Sequence, residues 1–133
     1  MHLALWVAQA VLAAGLLWAG VIKLFQPVST VATMWPWAGQ VPVALVKLTG
    51  MVDLLAAIGL ILPALIRVGP KLTPMAALGI IALMLCAGIF HIVRGEASQI
   101  GVNLFFAVVA AFIAWGRFSK APIAAKKSVS DLR

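Results

Sequence analysis

Four long apolar stretches, each cut off by a short cluster of proline, glycine or charge, set the pattern of the chain. The first runs from about Leu3 to Phe25 and stops before Pro27, which has no N–H to give a helix interior. The others cover about Pro42–Leu65, residues 74–93 and residues 99–115. A helix needs about 20 mostly apolar residues to cross the hydrocarbon core of a bilayer. The pattern therefore predicts an all-α integral membrane four-helix bundle over residues 1–118, followed by a polar, basic tail over 119–133. The segment "QPVSTVATMWPWAGQVP" between the first two stretches is too short, and too interrupted by Pro36, Gly39 and Pro42, to span. Ser29 or Thr30 is placed to cap a short interfacial helix through Trp35. Trp35 and Trp37 suit the membrane surface, where an apolar ring meets lipid and its N–H meets water, so this segment is expected to lie there as a partial lid. Thr73 followed by Pro74 reads as the cap of the third helix, and Gly95 as its stop.

Composition agrees with a membrane protein. The chain is 65% hydrophobic and 10% charged, with a mean hydropathy of +1.16, whereas soluble domains run near half apolar and a quarter charged. The net charge of +7 sits at segment ends and in the tail, which is a topology signal and excludes a nucleic-acid surface. Arg67, Lys71, Arg117, Lys120, Lys126, Lys127 and Arg133 fall on the face that holds both termini, against Arg94, Lys23 and Lys47 on or near the other. That asymmetry places both termini in the cytoplasm. The lone cysteine, Cys86, allows no internal disulfide and no redox pair, and reads as a small buried apolar side chain. The first stretch lacks a basic leader and is longer than the apolar part of a signal peptide, so it is expected to be a retained helix.

The polar residues inside the helices carry the functional signal. Lys23 lies at the outer end of the first helix and Lys47 about a turn inside the second. His91 lies at the outer end of the third, and Asn103 about a turn inside the fourth. Asp53 follows Pro42 by eleven residues, roughly 16 Å at 1.5 Å per residue, close to the midplane. Every helix thus brings a polar group to the outer half, and the inner half is expected to have almost none. Lys23 and Lys47 each admit a simple reading as snorkelling boundary residues, Asn103 as packing glue and His91 as an interfacial residue. Asp53 does not, because a carboxylate at that depth costs about 2.5–3.5 kcal/mol unless it is paired, protonated or wet. Lys47 points about 120° away from it around the same helix, so the partner is expected from another helix, Lys23 or His91. Helical spacing puts Gln9, Ala13, Leu16, Gly20 and Lys23 on one stripe, and Met84 with His91 on another. In the fourth helix, Asn103, Ala107, Ala110, Ala111 and Ala114 form a small-residue face. These residues predict an outward pocket with Asp53 and His91 as its proton-exchanging, candidate catalytic groups. Lys23, Trp35, Trp37, Met84 and Asn103 would contact the ligand.

At these positions the sequence resembles the DoxX-like family of small four-helix bacterial membrane proteins. The resemblance is carried by "GVIKLFQP" closing the first helix, "GMVDLLAAIGLILP" in the second, "FHIVRGE" closing the third and "AFIAWGRF" at the end. It covers about residues 8–118. Lys23 and His91 stand where that pattern has its lysine and histidine, and Asp53 where a longer acid, glutamate, is expected. The family takes its name from a subunit of a thiosulfate:quinone oxidoreductase, and other members are associated with membrane redox systems. The resemblance therefore implies a redox-associated subunit that holds a quinone or similar lipophilic molecule, with a redox subunit or a second copy as partner. No cofactor motif is evident: there is no cysteine pair and no glycine-rich nucleotide loop, and His91 alone is thin support for a haem. Two other functions fit the composition. One is a proton-coupled transporter, which would need access from both faces and which the apolar inner half disfavours. The other is an assembly subunit, whose polar cluster only fixes packing.

Overall fold

The computed structural model describes residues 1–96, 98 and 100–125. The elements are α1 (His2–Phe25), α2 (Val28–Met34), a 3-10 turn (Pro36–Gly39), α3 (Val43–Ile66), α4 (Leu72–Val93), α5 (Ile100–Trp115) and a π turn (Gly116–Lys120). α1, α3, α4 and the combined α5 and π turn are each long and apolar enough to cross a membrane, and no strand occurs among the described residues. The chain is an all-helical membrane bundle. The predicted start at Gln99 and residues 126–133 of the predicted tail lie outside the described residues.

Most helix ends follow from local chemistry. α1 gives way at Gln26, extended (φ −89°, ψ 150°) as a residue before proline prefers. α3 ends at Arg67 in the left-handed region (φ 58°), and α4 ends before Gly95 (φ 74°), where glycine carries no Cβ penalty. Two expected caps are absent. α2 starts at Val28 with Pro27 in the cap position, so neither Ser29 nor Thr30 caps it. α4 starts at Leu72, one residue before Thr73, whose side chain does not cap it.

Thr73 serves α3 instead. Pro63 lies inside α3 and has no N–H to offer the Gly59 carbonyl one turn back. The buried Thr73 hydroxyl donates to that carbonyl at 3.2 Å, and Gln9 Nε2 donates to the neighbouring Leu60 carbonyl at 2.7 Å. The proline break is thus stitched from two other helices. Thr73→Val leaves the Gly59 carbonyl without its donor and is expected to destabilise the protein by about 1–3 kcal/mol. Pro63→Ala, which restores the in-helix donor, should recover most of that loss; equal losses in the Thr73 variant and the double variant, measured by thermal denaturation, would show that the two residues are unconnected.

α1 packs along α3, and α5 along α4; α3 against α4 and α5 against α1 complete the ring. Leu12, Leu16, Leu60, Ile80 and Ile113 fill the centre. On α5, Ala110 and Ala114 face inward as predicted, but Ile113 is buried and Ala111 is exposed. α1 and α3 touch backbone to backbone where Gly20 meets Gly50. A Cβ on Gly20 would lie 2.8 Å from the Gly50 carbonyl oxygen, and one on Gly50 would lie 2.8 Å from Lys23 Cβ. Beside this crossing, Lys47 Nζ donates to the Leu24 carbonyl at 2.8 Å. Lys47 is therefore not a snorkelling residue; it satisfies one of the orphan carbonyls at the C-terminal end of α1.

The bundle end that carries the termini is not apolar, contrary to the sequence expectation. α5 widens into the π turn, where Gly116 lies so close to Leu5 that a Cβ would overlap its side chain. The next residue, Arg117, is only 3% exposed. Its Nε donates to Gln9 Oε1 at 2.7 Å, and its Nη1 donates to His2 Nδ1 at 2.8 Å and to the Ala121 carbonyl at 2.9 Å. The guanidinium stacks over Trp6, 5.5 Å from the ring centroid. A polar knot of His2, Gln9 and Arg117 closes this end.

Candidate functional site

At the opposite end, which carries Trp35 and Trp37, lies a cavity of about 380 Å³. Lys23 comes from α1, Trp35 and Trp37 from the segment between α1 and α3, Asp53 from α3, Met84 and His91 from α4 and Asn103 from α5. All seven side chains singled out in the sequence line it. Leu16, Ala19, Ala87 and Phe106 supply much of its apolar wall.

The Gly20–Gly50 contact brings Lys23 and Asp53 together. Lys23 Nζ lies 2.8 Å from Asp53 Oδ2, and both side chains are largely buried. Of the two candidate partners for Asp53, the structure selects Lys23. The ammonium also faces both indoles, at 5.5 Å from the Trp35 centroid and 5.7 Å from that of Trp37. A cation between two aromatic faces is held by their quadrupoles as well as by the carboxylate. Trp35 is braced edge-on by Trp18 and Trp37 by Phe90. Val31 and Ala38 of this covering segment pack against Val46 of α3, so the cover is part of the core and not a loose flap.

His91 is 8% exposed, and its Nδ1–H donates to Glu96 Oε2 at 2.9 Å. With Nδ1 so engaged, Nε2 is the ring nitrogen left to give or take a proton. Glu96 also accepts from Arg94, at 3.1 Å from Nε and 2.9 Å from Nη2. Arg94 reaches across to the Gln40 side-chain oxygen, tying the end of α4 to the tryptophan segment. In the sequence Arg94 counted only as an outer-face charge and Glu96 had no role of its own; the signal that finds Glu96 is its position five residues after His91, across the left-handed Gly95. Asn103 lines the cavity, and its Nδ2 is buried without a hydrogen-bond partner among the described residues. Cys86, expected to be buried, is exposed and also lines the cavity. Among the described residues no group of three histidines, cysteines or carboxylates could hold a metal ion.

The hydrogen bond from Arg94, and then that from His91, holds the Glu96 carboxyl below the ordinary glutamate range. A lowered carboxyl pKa contributes stability above the ordinary value, and that stability is lost only as pH falls through the lowered one. Carbon-13 titration of Glu96 in nanodiscs should therefore give a midpoint below that of a free glutamate. Arg94→Gln should move it upward; an unmoved midpoint would remove the guanidinium as the cause.

The sequence profile of the DoxX-like family matches residues 7–113, a stretch that contains every residue lining the cavity. The chain belongs to the DoxX-like family. No curated protein and no solved structure matches it. In this DoxX-like protein the matched region holds both the cavity and its ion pair, together with Gln9 of the polar knot. Arg117, its main partner in that knot, falls outside.

Proposed function

We propose that this DoxX-like protein is a redox-associated membrane subunit that holds a lipophilic small molecule, with a quinone as the best fit, in the cavity beneath its tryptophan segment. The observation that carries the reading is that ionisable and aromatic side chains from every spanning helix and the cover line one mostly apolar space. Small-molecule sites have this make-up: apolar walls, a few convergent polar groups and roughly 300–1,000 Å³. A quinone carbonyl accepts hydrogen bonds, and Asn103 Nδ2 is a buried donor without a partner among the described residues. Reduction of a quinone consumes protons as well as electrons. Electrons would come from a partner redox subunit, and His91, its Nδ1 held by Glu96, would offer its other ring nitrogen for proton transfer. Lys23 would hold the Asp53 side chain in place until the ligand's arrival alters the pair. The transporter alternative is disfavoured by the opposite end, where Leu5, Leu12 and Leu60 pack without exposure behind the Gln9–Arg117 knot.

Two experiments test this. The protein purified in mild detergent should release a quinone or other lipophile, about one per chain, on solvent extraction. In nanodiscs a decyl-substituted benzoquinone should quench tryptophan fluorescence saturably, with affinity reduced about tenfold by Asn103→Leu, the size of one lost hydrogen bond. Absence of both a retained lipophile and saturable quenching would overturn the reading.

We place the protein in a bacterial cytoplasmic membrane with both termini inside and the tryptophan end outward. Arg67, Lys71 and Lys120 are exposed at the terminal end, which supports that orientation. In a Cys86→Ala background, a thiol at Ser119 should be labelled from the inside only and one at Gly39 from the outside only. Labelling of the Ser119 thiol from outside would invert the topology.

A further inference from the structure

The cavity has a breach in its side. In their terminal-end halves α3 and α4 are joined closely: Thr73 bonds the Gly59 carbonyl, and a Cβ on Gly59 would lie 2.9 Å from that of Ala76. Toward the tryptophan end the cavity lies between the same two helices, lined by Leu45 and Thr49 on one and by Leu83, Cys86 and Phe90 on the other. Leu45 is 41% exposed and Cys86 is exposed as well, so the wall is open at their height. α3 starts at Val43, two residues before Leu45, and α4 ends at Val93, seven residues beyond Cys86, so the opening runs from about 3 Å to about 10 Å inside the apolar span. Hydrocarbon lies outside its deeper part, at Cys86.

The Lys23, Asp53 and His91 side chains that line the cavity are each paired. The Lys23 ammonium is taken by Asp53, and His91 engages Glu96, which also accepts from Arg94. An anionic head group would enter a site whose cations already have partners, at the cost of an uncompensated charge in a low dielectric. A neutral group that accepts a hydrogen bond meets no such cost and satisfies the orphan Asn103 Nδ2.

We infer that the ligand is a neutral, hydrogen-bond-accepting amphiphile with a single long chain, admitted sideways from the bilayer between α3 and α4. Its head lies at Asn103 and the Lys23–Asp53 pair. Its chain runs out past Leu45 and Cys86 into the lipid. This rests on the lipophile-binding reading above and adds to it the route and the charge class of the ligand.

The test uses the full chain in nanodiscs and the same decyl-benzoquinone quenching, now followed in time. Leu45→Phe and Cys86→Phe narrow the opening, while Leu85→Phe, on the lipid face of α4 and away from the cavity, is the control. The narrowed variants should slow quenching about tenfold, as an added barrier would, and the control should not. The unaltered protein gives a second reading that needs no folding of variants. Methyl laurate in the bilayer should slow alkylation of Cys86 by N-phenylmaleimide about fivefold by occupancy, and laurate anion at the same membrane concentration should not. Saturable quenching with equal rates in all variants, or an unprotected Cys86, overturns the sideways route and leaves the binding reading standing. Equal protection by laurate overturns the neutral-head assignment. No saturable quenching of the unaltered protein overturns the binding reading and this inference with it.

Discussion

Lys23→Met alone and Asp53→Leu alone are each expected to destabilise the protein by about 3–5 kcal/mol, and the double variant to recover most of the loss. The asymmetry follows from where the pair sits. Nζ and Oδ2 are 2.8 Å apart, and the carboxylate side chain is only 5% exposed. Removing either partner leaves the other as an uncompensated charge in a medium that solvates it poorly, whereas removing both leaves apolar groups in an apolar place. Denaturation of the four proteins in the same detergent, treated as a double-mutant cycle, gives the coupling directly. Additive losses would mean that the ion pair does not form. The stable double variant is also informative for function, because it should keep the fold and lose the polar floor of the cavity.

Gly50→Val is expected to cost about 3 kcal/mol, at the upper end for overpacking, and to weaken decyl-benzoquinone binding along with stability. A side chain at that position meets Lys23 Cβ at 2.8 Å and the Gly20 carbonyl oxygen at 3.2 Å. Backbone cannot give way as the tip of a long side chain can, so α1 and α3 must separate. The separation falls beside the root of Lys23, whose reach to Asp53 depends on the close crossing. Gly79→Val is the matched control: nothing lies within 4 Å of its added Cβ, so stability should be nearly unchanged. If the two variants behave alike, the glycine crossing is not what positions the pair.

The four spanning helices were legible because an apolar run of membrane length has few alternatives, and because proline and glycine mark its ends. The gathering of Lys23, Asp53, His91 and Asn103 in one half of the bundle was legible from depth alone. The misreadings share a different cause: each depends on a contact between helices that no local pattern encodes. Thr73 beside Pro74 has the form of a cap, but the vacancy created by Pro63 in another helix claims its hydroxyl. Lys47 looks like a boundary charge, yet it answers the unsatisfied end of α1. Cys86 looked like core because its neighbours in sequence are apolar; the space between α3 and α4 exposes it. Arg117 counted as one more basic residue near the tail, whereas the π turn and the bare Gly116 carry it inward to Gln9.

That last contact bears on how the protein is made. Arg117 binds Gln9 and His2 across 108 and 115 positions of chain. Synthesis runs from the N-terminus, so α1 enters the bilayer with the Gln9 carboxamide oxygen waiting for a donor that is translated 108 residues later. Gln9 can find the Leu60 carbonyl once α3 is inserted, but the ring of helices is clasped only when residue 117 arrives. A nascent chain halted before that point would hold its apolar helices in the bilayer with the polar side chain of α1 still unfastened.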